Sequence, residues 1–200
     1  MTKLSRRVFL GSAPAAAAGV FGTLFSSAAE AAINWDDTYN VIVIGAGGAG
    51  LSAAVSAKEA GCKKVVVLEK MMFAGGNTIR AGGGFNAAIK ADYEKAGIKD
   101  SPDLHAQQTL AAGDGRGDPV LVHQLTEKAP ESVQWLKDHG VKFQDHIYQI
   151  YGGLYKRARN PIGPRGGAYI KALLEVCKKE DIPILYNLSL IHISEPTRRR

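Results

Sequence analysis

Tyr39-Asn40-Val41-Ile42-Val43-Ile44-Gly45-Ala46-Gly47-Gly48-Ala49-Gly50 is the stretch whose reading decides the fold. Its first half is a short apolar, β-branched run, which predicts a buried parallel strand. Its second half is a G-x-G-x-x-G turn. Leu51 to Ala60 is Ala-rich and predicts a helix stopped at Gly61, and Val65-Val66-Val67-Leu68 predicts a second buried strand ending at Glu69. Strand, glycine turn, helix and strand make a βαβ unit of about 30 residues, the context that gives this glycine spacing its meaning. Gly45 permits the tight turn, Gly47 lets backbone approach a pyrophosphate, and Gly50 lets the helix pack closely on the strand. The helix N-terminus offers amides and a positive dipole end to phosphates. Glu69, at the tip of the second strand, is placed to accept hydrogen bonds from both ribose hydroxyls of an adenosine. A carboxylate there argues against a 2′-phosphate and hence against NADP.

Downstream, Met71 to Ala88 carries two glycine clusters, Gly75-Gly76 and Gly82-Gly83-Gly84, with Asn77 and Thr78 between them. A generic NAD domain runs from its second strand into another helix. Glycine at this density points instead to backbone lying against a flat ligand, the alternative being a flexible surface loop.

Composition narrows the classes further. Hydrophobic residues make up 46% and charged residues 22% of the 200, a globular balance rather than a disordered one. Two cysteines exclude a disulfide scaffold, an all-cysteine zinc site and a cysteine-ligated iron–sulfur cluster within the chain. Cys62 and Cys177 could pair in an oxidising compartment, but sequence alone does not bring them within bonding distance. The histidines His105, His123, His139 and His146 fit no metal-ligand spacing, so no metal is expected and each reads as a surface or satisfied residue. Most of the formal net charge of +6 resides at the two ends.

At the N-terminus, Lys3, Arg6 and Arg7 precede an uncharged stretch from Val8 to Ala29, and Ala29-Glu30-Ala31 offers a small-x-small cleavage site. Residues 1–31 therefore read as a twin-arginine signal peptide, with an uncleaved membrane anchor as the alternative. Periplasmic localisation and the twin-arginine export machinery follow as expectations. At the C-terminus, Leu188 to Arg198 resembles an in-frame translation of a transposase sequencing adapter, so residues 188–200 read as non-native. Setting aside Lys3, Arg6, Arg7 and Arg198 to Arg200 leaves 19 basic residues; setting aside Glu30 and Glu195 leaves 17 acidic ones. The remainder carries only +2, and no nucleic-acid partner is expected.

The body, residues 32–187, resembles the FAD-binding domain of the fumarate reductase/succinate dehydrogenase flavoprotein family. The resemblance rests on V-I-G-A-G-G-A-G-L-S-A-A, V-L-E-K and A-G-G-N-T-I-R-A-G-G-G-F-N-A, with Ser101 to His105, Gly113 to Pro119, Ser132 to Leu136 and Gly152 to Leu154 also fitting. It is nearest to the soluble exported flavocytochrome c-type fumarate reductases. It implies an α/β fold: a Rossmann-like, doubly wound parallel sheet, truncated before its remaining strands and capping domain. It implies that Gly45, Gly47, Ala49 and Gly50 surround the FAD pyrophosphate. Glu69 would hold the ribose with Lys70 beside it, and Asn77, Thr78, Gly82 and Gly83 would approach the ribityl and isoalloxazine parts. Membrane-complex members attach FAD covalently through a histidine; Asn77 stands in that position, so FAD is expected to be non-covalent.

The implied reaction is hydride transfer from reduced FAD to the activated alkene of a dicarboxylate or related enoate. The electron donor would be a separate protein, a cytochrome or a flavin domain, or a downstream domain. No catalytic residue is expected within these 200 residues. The alternatives are a flavin-dependent 3-ketosteroid dehydrogenase, which shares this half, and an inert fragment.

The rest of the body reads as scaffold. Ser101-Pro102 and Asp118-Pro119 predict two helix starts, each an N-cap followed by a first-turn proline. A third helix is expected from Pro130 to His139, with Leu125, Val133, Trp135 and Leu136 in the core. Tyr155 to Pro161 reads as a basic loop, either a solvated turn or an anion-attracting surface near the flavin. A helix over Gly167–Glu180 and a buried strand over Ile182–Tyr186 complete the expected order.

Overall fold

The structure, a computed structural model, describes residues 37–188. The expected signal segment and most of the adapter-like tail lie outside the described residues. Contacts divide the chain into Met1–Asp37 and Thr38–Arg200, and the fold below belongs to the second unit.

The βαβ unit forms in the order read, but β1 is exposed on one face, correcting the expectation of a buried strand. Strand β1 (Val41–Ile44) enters the glycine turn, helix α1 (Gly48–Glu59) returns, and β2 (Val65–Leu68) pairs parallel to β1 with Val41 opposite Val65. Strand β6 (Ile184–Leu185) pairs parallel on the far side of β2, giving the order β1-β2-β6. It is shorter than the expected Ile182–Tyr186. Pro183 lacks an N–H to donate, so regular pairing begins after it; Ile182 is buried, but Leu185 and Tyr186 are exposed, correcting the expectation of a buried strand.

One face of this sheet is covered by α1 and by α5 (Gly166–Lys179). Leu51, Ala54 and Val55 of α1 meet Ile170, Leu173 and Cys177 of α5 over Val65 and Val67. The α5 positions recur at helical spacing, so they form one stripe. Burying Leu51 or Leu173 contributes roughly 1.5–3 kcal/mol each. The other face of β1 is bare: Ile42 is 55% and Ile44 is 68% exposed.

A second, antiparallel sheet has the order β3-β5-β4, from β3 (Phe85–Asn86), β4 (Tyr148–Gln149) and β5 (Lys156–Arg159). Here the basic-loop expectation is corrected. Arg157 and Arg159 lie in β5 and are only 5% and 2% exposed. Arg157 makes a two-pronged pair with Asp100, Nε to Oδ2 at 3.0 Å and Nη2 to Oδ1 at 2.7 Å. Arg159 pairs with Asp92 of helix α2 (Lys90–Lys95) at 2.9 Å and donates to the Ala87 carbonyl at 3.1 Å. The Arg157 guanidinium is paired internally, and Arg159 is held through Nη2 while its buried Nε and Nη1 have no partner among the described residues, so neither side chain belongs to a solvated turn.

Two further helices start as predicted. Ser101 Oγ accepts from the Leu104 amide ahead of α3 (Pro102–Ala112). Asp118 Oδ1 accepts from Val120 and Leu121 ahead of α4 (Pro119–Asp138). The expected third helix is instead the continuation of α4, which runs through Pro130. An interior proline costs about 3 kcal/mol. Thr126, Ala129, Val133 and Leu136 form one buried stripe spanning it, and that packing keeps the helix whole. Leu125 is off the stripe and 60% exposed, correcting its core assignment. Trp135 is only partly buried; its indole N–H donates to Glu59.

Candidate cofactor-binding site

The β1–α1 turn is built by close backbone approaches. Gly45 has φ +96°, a left-handed conformation open to glycine, and its N–H donates to the Leu68 carbonyl at 2.7 Å, tying the turn to the end of β2. A β-carbon on Gly50 would lie 1.8 Å from the Gly45 carbonyl oxygen, so no other residue fits while the turn keeps its shape. Gly47 is the N-cap of α1 and offers no side chain to cap it. The Ala49 and Gly50 amides of the first turn are thus open to a ligand.

The second glycine segment folds back onto this turn. The Gly75 amide donates to the Ala46 carbonyl at 2.8 Å, and Gly47 and Gly75 form a parallel bridge. Thr78 Oγ1 accepts from the Gly48 amide at 3.2 Å. Asn77 and Thr78 therefore lie at the α1 N-terminus, in and just ahead of a short 3-10 turn, Thr78–Arg80. Thr78 partly supplies the cap that Gly47 lacks, a link that sequence reasoning missed. The only local signal was a hydroxyl two residues past a Gly-Gly pair.

Glu69 is buried, and its carboxylate is engaged more closely than sequence implied. Oε2 accepts from the Ala46 amide at 2.6 Å and Oε1 from the Met71 amide at 2.8 Å. It clamps the glycine turn to the segment after β2. Each oxygen retains a lone pair, so the clamp still leaves acceptor capacity. Lys70 is exposed beside it.

Gly82 and Gly83 lead into β3; Gly83 is buried against the start of α5, while Gly82 is exposed. The Gly166 amide donates to Ala81 at 3.2 Å, and the buried Tyr169 hydroxyl donates to the Gly83 carbonyl at 2.7 Å. Two glycine loops, a helix end capped only at the Gly48 amide and a buried carboxylate thus come from separate parts of the chain. A helix N-terminus with bare glycine backbone suits a pyrophosphate, and the carboxylate at the tip of β2 suits a ribose. The residues present fit a dinucleotide.

The remaining candidates fall elsewhere. His105 is buried, against the surface-or-satisfied expectation, and its Nδ1 has no partner among the described residues. Burial, then the Arg157 charge, push its pKa down against the opposing pull of Asp100. His139 stacks on Trp135 with ring centres 4.1 Å apart and bonds Glu59 at 2.8 Å. Asp103, His123 and Glu127 do converge within 4.8 Å, which spacing did not anticipate. Both carboxylates are exposed, however, and no second feature marks a metal centre. Cys62 and Cys177 are free thiols, and burial pushes the Cys177 thiol up. A cavity of about 440 Å³ between the end of α4 and α5, lined by His139, Lys142, Ile162 and Lys171, contains none of the expected site residues. Among the described residues no helix is long and apolar enough to cross a membrane.

The chain is similar in sequence and fold to known proteins. The chain is 37% identical over 158 residues to an NADH:fumarate oxidoreductase of Klebsiella pneumoniae (strain 342), which covers 78% of the chain and 17% of that protein. A flavocytochrome c3 fumarate reductase in an open conformation superposes with a TM-score of 0.71 at 30% identity, covering 76% of this chain and 27% of that one. A 3-ketosteroid-Δ4-(5α)-dehydrogenase from Rhodococcus jostii RHA1 is a weaker neighbour, with TM-score 0.69 at 25% identity, covering 80% and 40%. The chain thus spans less than half the length of each. The family model described as "FAD binding domain" matches residues 40–197, past the expected native boundary at Asn187, and the chain belongs to that family of flavin-binding proteins.

Proposed function

We propose that this chain is the FAD-binding part of an exported, fumarate reductase-like oxidoreductase. The observation that carries the reading is the convergence of the Gly45–Gly50 turn, the Gly75–Thr78 segment and buried Glu69 at one helix end. Ala49 and Gly50 would donate amides to the FAD pyrophosphate, and Gly47 would let the phosphates approach. Glu69 would hold the ribose through its remaining lone pairs while keeping the turn closed. Asn77, Thr78, Gly82 and Gly83 would line the path toward the flavin ring.

FAD, when bound, supplies hydride chemistry toward an activated alkene. The residues of this chain orient it and shield it; none is proposed to transfer a proton to substrate. Asn77 carries an amide and forms no covalent flavin link, so the cofactor would be held non-covalently. The substrate class is a dicarboxylate or related enoate. A separate cytochrome or flavin domain would deliver electrons, and the Ser5-Arg6-Arg7 segment would direct the folded protein to the periplasm by the twin-arginine route.

The reading is tested on the complete protein, reduced anaerobically by a viologen dye and offered fumarate, acrylate or urocanate. Oxidation of the dye by one of the enoates is expected. No oxidation by any enoate, together with desaturation of a 3-ketosteroid when an oxidised dye is supplied as electron acceptor, would reassign the protein to the ketosteroid dehydrogenases.

A further inference from the structure

We propose that Tyr169 is a positioning residue that aims the Gly84 amide at the flavin ring; this rests on the flavin site proposed above. Gly83 has φ +85° and sits buried against α5, where a β-carbon on it would lie 2.8 Å from the Arg165 carbonyl carbon. Its carbonyl points inward, where it accepts the Tyr169 hydroxyl at 2.7 Å. A trans peptide is planar, with N–H opposite C=O. Fixing the Gly83 carbonyl inward therefore turns the Gly84 N–H outward.

The sheet register agrees. Phe85 pairs with Arg159, and the Ala87 amide donates to the Arg157 carbonyl, so alternate amides from Phe85 onward face β5. Gly84 is out of phase with them and faces away. Strand β3 is at the edge of its sheet, so that side has no strand beside it. Among the described residues no partner accepts from the Gly84 amide. The Tyr169 ring is held between Phe85 and Phe143, with ring centres 6.4 and 6.1 Å away. Burial also raises its phenol pKa, so the hydroxyl remains a donor at any working pH.

Tyr169→Phe keeps the ring and removes the donor, leaving the Gly83 carbonyl buried without a partner and the peptide free to turn. Phe143→Leu loosens the ring packing but keeps the hydroxyl. Both are compared with wild type in the complete FAD-loaded protein, by FAD titration, thermal unfolding and spectroelectrochemistry. For Y169F, weaker FAD binding is expected, with the reduced form losing about tenfold more than the oxidised form. That difference is a midpoint potential lower by about 30 mV for a two-electron couple. For F143L, a lower melting temperature with an unchanged potential is expected. A crystal structure of the wild-type holoprotein should place the Gly84 nitrogen within about 3.2 Å of a flavin ring oxygen or nitrogen.

An unchanged potential in Y169F, an equal shift in F143L, or a Gly84 nitrogen remote from the ring would each overturn the assignment. A wild-type protein that binds no FAD would instead remove the flavin site itself, and this inference with it.

Discussion

Glu69 accepts one amide on each oxygen, so its replacement is not a simple loss of charge. In Glu69→Gln one oxygen becomes an NH2 group facing the amide of Ala46 or Met71, donor against donor. Hydrogen bonds to a charged group contribute about 1.5–3 kcal/mol, so FAD affinity is expected to fall roughly 10- to 100-fold, together with the melting temperature. A dissociation constant unchanged on titration would show that the acid neither closes the turn nor holds the ribose. Gly50→Ala tests the same turn from the other side. Its methyl would sit 1.8 Å from the Gly45 oxygen, so the turn must open. Overpacking of this kind costs about 1–3 kcal/mol or more, and loss of detectable flavin binding is expected in equilibrium dialysis.

Among the elements, β5 illustrates where local reading stops. Lys-Arg-Ala-Arg looks like a wet turn because its partners, Asp92 and Asp100, lie far upstream, and no local pattern displays them. The β1–α1–β2 unit was legible because every signal in it is local: β-branched runs, glycines at fixed spacing and an acid at the strand tip. The continuity of α4 was hidden for a similar reason. Pro130 is a strong local stop, and only the stripe from Thr126 to Leu136 overrides it. Two outcomes follow for this layer. Asp100→Asn leaves the Arg157 charge buried and uncompensated, and a loss of about 3–5 kcal/mol is expected in chemical denaturation; a change below 1 kcal/mol would show that the pair is solvated. His105, with its folded pKa below the usual 6.5, binds fewer protons folded than unfolded. Its contribution to stability is therefore complete above pH 6.5 and is lost as pH falls below it toward the lowered folded value. His105→Gln should flatten the melting-temperature profile between pH 7 and 5, and an identical slope in the variant would assign that dependence to other groups.

For the whole molecule, the account joins two sheets and two glycine loops into one cofactor cradle, backed by a core shared between α1, α5 and β2. Sequence singled out Gly45 to Gly50, Glu69, Asn77 and Thr78, which the fold brings together at the proposed cradle. It did not show how Thr78, Glu69 and Tyr169 lock the loops together, since those links span 23 to 86 residues. The bare face carrying Ile42 and Ile44 also predicts that residues 38–188 expressed alone will self-associate, which light scattering would detect. The central claim is that the cradle holds FAD without a covalent bond, and the most direct measurement is on the complete protein as purified. It is precipitated with acid, and flavin is quantified in supernatant and pellet. The account predicts a yellow protein that releases close to one FAD per chain into the supernatant. Colourless protein that takes up no added FAD, or flavin retained in the pellet, would contradict it.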